Sequence, residues 1–205
     1  MRAGTRLGFF GGSFDPPHLG HLAIARAAAE AFSLDRVLFV PTAHQPLKPA
    51  GPVASFDARL AMVELLCADD ADFEASPIEA PNADGTPNFT VDTLTQLRAS
   101  LGEGDEIFVL VGADAFLDLR RWREPERLLQ LAEWIVISRP GFSLGDLSPL
   151  ALSPAELGRV HILDDVAEPA SATRVRELLR EGSDCAGLLS PTVVAYIREH
   201  HLYGT

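Results

Sequence analysis

Cysteine is scarce in this sequence: only Cys67 and Cys185 occur, far apart and with no second Cys or His at metal-ligand spacing. A disulfide framework and a zinc site are therefore not expected, and two reduced thiols are. Long apolar runs are missing as well. Every uncharged apolar stretch falls far short of the roughly 18–20 residues that a membrane-spanning helix needs. The opening Met-Arg-Ala-Gly-Thr-Arg leads into a short apolar run and two glycines, without the h-region and cleavage site of a secretory signal. A cytoplasmic protein that does not enter a membrane is the expectation. Positive charge is also short. Seventeen Lys and Arg stand against 29 Asp and Glu, a formal charge of −12, and no basic run interrupts it. Such a field repels a nucleic-acid backbone, so polymeric nucleic acid is not an expected partner. A small phosphorylated substrate stays compatible, because a few placed cations, backbone amides and Mg²⁺ act at short range under a screened global field.

What is present is the make-up of one ordinary globular domain. The chain has 205 residues, of which 47% are hydrophobic and 22% charged, with neither internal repeat nor low-complexity tail. The expectation is a single domain over 1–205 with a helical C-terminal segment at about 171–205. Leu7–Phe10, Val37–Val40, Ile107–Val111 and Trp134–Ile137 are short, nearly continuous apolar runs, the pattern of parallel strands buried on both faces. Between them, Leu19–Phe32, Phe56–Ala68, Val91–Leu101 and Pro125–Leu131 read as amphipathic helices, with Ser55 and Thr90 as caps. The alternation predicts an α/β fold: a doubly wound, Rossmann-like parallel sheet with helices on both faces, binding ligands beyond the carboxyl ends of its strands. Pro41–Pro52 and Pro81–Pro87 read as active-site loops, and Pro140–Pro154 as a connection. Ser171 caps a predicted helix through Arg180 that ends at Gly182, and Ser190-Pro191 opens another reaching about His200.

The chemistry concentrates in Gly11-Gly12-Ser13-Phe14-Asp15-Pro16-Pro17-His18-Leu19-Gly20-His21, directly after the first strand and leading into the first helix. Glycines let backbone N–H groups approach an anion, and the helix that follows points its positive end to the same place. His18 and His21, three apart, project from one helix face if the helix begins near Pro17. On a phosphate, their protonated forms would be favoured by the negative charge. The stretch is neither a Walker loop nor a Gly-x-Gly-x-x-Gly fingerprint.

His18-Leu19-Gly20-His21 resembles the His-x-Gly-His hallmark of a nucleotidyltransferase superfamily. Within it the chain is most similar to the bacterial nicotinate mononucleotide adenylyltransferases, from about Gly8 to the C-terminus. The second signature of that superfamily, close to Ile-Ser-x-Thr-x-x-Arg, is matched by Ala170-Ser171-Ala172-Thr173-Arg174-Val175-Arg176. The resemblance implies an enzyme that joins ATP and nicotinate mononucleotide into deamido-NAD and pyrophosphate, in NAD biosynthesis. It implies His18, His21 and Arg176 as catalytic residues. It further implies ATP and phosphate contacts from Gly11, Gly12, Ser13, Phe14, Lys48, Gly112, Asp114, Arg139, Ser171 and Thr173. The attacking phosphate oxygen is already ionised at neutral pH, so positioning and charge neutralisation suffice and no general base is required. Mg²⁺ is expected as a cofactor carried by ATP, with no metal ligand assigned to a side chain.

For the acceptor, Asn88-Phe89-Thr90-Val91-Asp92-Thr93-Leu94 is similar to the family's Tyr-Thr-x-x-Thr-Leu segment, which implies Phe89 and Thr90 near the nicotinate carboxylate. Trp122 matches a tryptophan that stacks on the pyridine ring, an interaction on the order of 0.5–2 kcal/mol for a cationic ring over indole. The loop Pro41–Lys48 departs from the family: Leu47 stands where a histidine is usual, leaving Lys48, with His44 as a substitute candidate. Phosphopantetheine and nicotinamide mononucleotide remain alternative acceptors, and a non-catalytic nucleotide-binding module remains an alternative of a different class. The sequence leaves a homo-oligomer open.

Overall fold

Valine, isoleucine and phenylalanine runs become strands because β-branched and aromatic side chains fill a pleated surface well. In the computed structural model, which describes residues 4–43, 51–138, 143–164, 166 and 171–205, those runs form β1 (Arg6–Gly12), β2 (Arg36–Pro41), β4 (Glu106–Gly112) and β5 (Glu133–Ile137). Two further strands, β3 (Phe73–Ala75) and β6 (Val160–Leu163), complete a six-stranded sheet in the order β3-β2-β1-β4-β5-β6. Both additions lie at sheet edges. An edge strand has one neighbour and needs no continuous apolar run, which is why these short, part-exposed segments escape a reading of hydrophobicity.

The pairing is parallel, with Phe9 opposite Val109, Val109 opposite Trp134 and Ile135 opposite His161. Chain order reverses between β1 and β4, the switch point at whose carboxyl end doubly wound sheets bind their ligands. The expected Rossmann-like α/β class is what the chain adopts.

The helices are α1 (Leu19–Phe32), α2 (Phe56–Cys67), α3 (Thr90–Ser100), α4 (Ala113–Leu117), α5 (Pro125–Leu131), α6 (Pro154–Leu157), α7 (Ala172–Arg180) and α8 (Pro191–Glu199). Ser55 caps α2 as expected, accepting a hydrogen bond from Ala58 N–H. Thr90 does not cap α3. It is the first helical residue, and extended Phe89 holds the cap position without a side-chain cap bond. The stretch read as a connection over 140–154 contains a 3₁₀ segment, Leu144–Leu150, and the start of α6.

Close packing divides the chain into two compact units. One comprises Met1–Gly11, Ala25–Leu38 and Phe89–Val166; the other comprises Gly12–Ile24, Phe39–Asn88 and Ala167–Thr205. The first buries the strand residues Leu7, Ile107, Leu110, Trp134 and Ile135 together with Phe116 and Leu119, and the second buries Phe14, Phe39, Met62, Val175, Val193 and Ile197. Cys67 and Cys185 are both buried and free. Burial, with Asp70 adding to it, pushes the Cys67 thiol up to about 12.

Candidate functional site

The second unit carries the loop that leaves β1. Gly12 C=O accepts from Thr42 N–H at 2.9 Å, and Ser13 C=O accepts from the buried Arg59 guanidinium at 2.7 Å. A Cβ on Gly12 would meet the Phe14 ring at 3.2 Å, so glycine here permits close packing. Phe14 takes a left-handed backbone, φ 47°, a conformation that costs a bulky residue on the order of 1–3 kcal/mol and persists where packing over-determines it. Its ring is buried, 5.8 Å from Phe39 and edge-on to His21 at 4.9 Å. The Phe14 side chain therefore packs against His21 within the fold.

His18 immediately precedes α1, and His21 lies in its first turn. The His21 ring reaches back so that Nδ1 accepts from His18 N–H at 3.1 Å, the role that a glutamate plays in a capping box. The rings stack with centroids 3.7 Å apart and planes 24° from parallel. Because Nδ1 is the acceptor, the neutral His21 ring carries its proton on Nε2. His18 is 3% exposed, and its Nδ1 is buried without a hydrogen-bond partner among the described residues. Burial lowers the His18 imidazole to about 4, and burial together with the adjacent His18 holds His21 well below 6.5. The protein's own surroundings thus favour neutral rings. The protonated forms expected on a bound phosphate reflect the ligand's charge, and desolvation in the folded chain opposes them.

Helix α7 belongs to the same unit. Its N-cap is Ser171, whose side chain accepts from Arg174 N–H at 3.3 Å. Arg176 Nη1 donates to Asp15 C=O at 2.6 Å, across 161 residues of sequence, and Nη2 donates to Thr173 Oγ1 at 3.3 Å. The guanidinium thereby ties the helix of the second motif to the loop of the first.

In the first unit, Gly112 ends β4 and caps α4, with exposed Asp114 in the first turn of that helix. Phe89 and Thr90 open α3, and the Arg123 guanidinium sits 4.7 Å over the Phe89 ring and 3.7 Å from Asp92 Oδ2. Trp122 is half-buried and meets Trp134 edge-on at 6.1 Å.

The chain matches the cytidylyltransferase-like family model over residues 9–178. A probable nicotinate-nucleotide adenylyltransferase of Solibacter usitatus is 42% identical, the match covering 97% of this chain and 99% of that relative. One from Thermus thermophilus is 41% identical over the same shares. The chain belongs to the nicotinate-nucleotide adenylyltransferase family. Among solved structures, the nicotinic acid mononucleotide adenylyltransferase of Plasmodium falciparum, complexed with NaAD, superposes with a TM-score of 0.74 at 17% identity, covering 97% of each chain, and so shares the fold.

Of the residues that the resemblance to this family singles out, Gly12, Ser13, Phe14, His18, His21, Ser171, Thr173 and Arg176 fall in one compact unit, while Gly11, Phe89, Thr90, Gly112, Asp114 and Trp122 fall in the other. Lys48, His44 and Arg139 lie outside the described residues. Arg59 and Tyr203 lie outside both motifs, and Asp15 lies inside the first motif with no role expected of it. Arg59 had a legible signal: it shares a helix face with Ala58, Met62, Val63 and Leu66, where an arginine must be paired or hydrogen-bonded.

Proposed function

We infer that this chain transfers the adenylyl group of ATP to the phosphate of nicotinate mononucleotide, releasing pyrophosphate and forming deamido-NAD, as one nucleotidyltransferase domain over 1–205. The observation that carries the chemistry is the stacked pair His18 and His21, with Arg176 fastened to the same loop. An oxygen of the acceptor phosphate forms a bond to the α-phosphorus of ATP, and the bond from that phosphorus to the pyrophosphate oxygen breaks. The nucleophile arrives ionised, so no residue need remove a proton. Neutral imidazoles are poor cations but good donors, and the Nε2–H of His21 is the kind of preorganised dipole that stabilises charge building on phosphoryl oxygens. Arg176 adds a permanent charge for the departing pyrophosphate, with Lys48 assigned beside it from the sequence.

Gly12, Ser13 and the Phe14 backbone are assigned to the nucleotide phosphates, and Ser171 and Thr173 to the same anion through the N-terminus of α7. Gly11, Gly112, Asp114 and Arg139 are assigned to the nucleotide as well. Among the described residues no group of three or more His, Cys, Asp or Glu could hold a metal ion. Mg²⁺ is the counter-ion that ATP brings, and it would supply charge neutralisation on the phosphates. For the acceptor, Trp122 is assigned to the pyridine ring, and Phe89 and Thr90 at the positive end of α3 to its carboxylate. Hydrogen-bond donors placed for a carboxylate leave an amide NH₂ facing other N–H groups, a mismatch of about 1–3 kcal/mol.

The deciding measurement is pyrophosphate release from Mg·ATP with nicotinate mononucleotide, nicotinamide mononucleotide and phosphopantetheine offered separately. Preference for the first is expected. Preference for either of the others overturns the acceptor assignment, and release with none overturns the reaction.

A further inference from the structure

One side chain joins both sequence motifs to two further segments that neither motif contains. The Asp15 carboxylate, 4% exposed, accepts from Val53 N–H at 2.7 Å and from Ala54 N–H at 3.0 Å, just ahead of α2. It also accepts from the hydroxyl of Tyr203 at 2.8 Å, across 188 residues, and lies 4.0 Å from Arg176 Nη1. Tyr203 is itself buried, in a short 3₁₀ turn after α8 (Leu202–Gly204), at φ 61°. Burial first, and the Asp15 charge second, push its phenol above the ordinary range, so it remains a donor to the carboxylate. Arg59, 1% exposed, holds Ser13 C=O at 2.7 Å and Ala54 C=O at 3.3 Å.

We propose that Asp15, Arg59 and Tyr203 are positioning residues that hold Arg176 and the histidine loop in the geometry that adenylyl transfer requires. The hub rests on the functional reading above and names residues which that reading leaves without a role. The Asp15 charge favours the charged form of Arg59 and lies 4.0 Å from Arg176 Nη1, so the carboxylate keeps buried cationic groups in place beside the histidine loop. The contacts also set backbone direction. A trans peptide turns its C=O and the next N–H opposite ways, so the grip of Arg59 on Ser13 C=O fixes where Phe14 N–H points. A buried carboxylate that ties four segments together over-determines that loop, and buried polar networks of this kind hold position only when every member is satisfied.

Tyr203→Phe removes one hydroxyl and keeps the ring, which makes it a milder probe than Asp15→Asn. Its effect is read in a cycle with Arg176→Ala, following kcat, the KM for ATP and the urea midpoint. The expected result is a loss of about tenfold in kcat for Tyr203→Phe in the otherwise wild-type chain, with little further loss in the Arg176→Ala background, because residues that act through one another are not additive. Arg59→Lys, which keeps the charge but loses the fork, repeats the cycle. Unchanged kcat for both variants, or the same factor lost with and without Arg176, overturns the proposal. If the wild-type chain releases no pyrophosphate with any acceptor, the functional reading fails separately. The same cycle is then read on the dissociation constant of Mg·ATP, where coupling upholds the hub and additivity overturns it.

Discussion

At the scale of single residues, burial moves the pKa values of His18 and His21 downward. For His18 the folded value is about 4 against an ordinary 6.5. Above pH 6.5 both folded and unfolded chains leave this ring neutral, and its contribution to stability is whole. Between 6.5 and about 4 the unfolded chain takes up a proton that the folded chain refuses, so stability falls as the solution is acidified. The loss through that window is on the order of 3 kcal/mol. A His18→Asn variant followed by urea unfolding from pH 7.5 to 4 should show a shallower decline than the wild-type chain, and an equal slope would contradict the burial argument. The same variant should lose on the order of 10²–10³ in kcat, as removal of one transition-state donor does. Trp122→Ala should raise the KM for the acceptor about tenfold, since ring stacking is worth on the order of 0.5–2 kcal/mol. An unchanged KM would count against stacking. The types of these residues were legible, but the protonation state of the histidines was not, because desolvation depends on neighbours that strand and helix patterns do not name.

At the scale of elements, local chemistry was the better guide. Leu19–Phe32 and Pro125–Leu131 span the helices at the bounds that the apolar pattern drew, and α7 runs from its Ser171 cap to Arg180, with Gly182 at φ 78° just beyond its end. These signals work because a cap and a glycine act within one turn. Edge strands β3 and β6 and the short helix α4 carry no comparable signal: their placement is paid for by one neighbouring element or a single turn. Under the proposed assignment of Arg176 to the departing pyrophosphate, the cap of α7 acquires a catalytic consequence as well as an energetic one. Ser171→Ala should lower unfolding stability by about 1 kcal/mol and reduce kcat severalfold as the first turn frays. A circular-dichroism urea titration run beside the turnover assay checks both, and a loss of stability with undiminished kcat would detach the cap from the chemistry.

At the scale of the whole molecule, a net charge of −12 acts on every approaching anion, while the groups assigned to ATP are few and close-range. The chain should therefore bind Mg·ATP yet show no affinity for single-stranded or duplex DNA in fluorescence anisotropy at 0.1 M salt, and salt-dependent DNA binding would overturn that expectation. The sequence alone determined the α/β class, the four apolar strands with the helices between them, and the placing of His18 and His21 one turn apart at the start of α1, because each is decided within a few residues of chain. Only tertiary structure decided that Asp15 meets Arg176 and Tyr203 across 161 and 188 residues, that Arg59 turns inward to Ser13, and that burial pushes both imidazoles toward their neutral forms. Contacts between distant residues leave no periodicity to read, and the cost of charging a ring is set by what the fold packs around it.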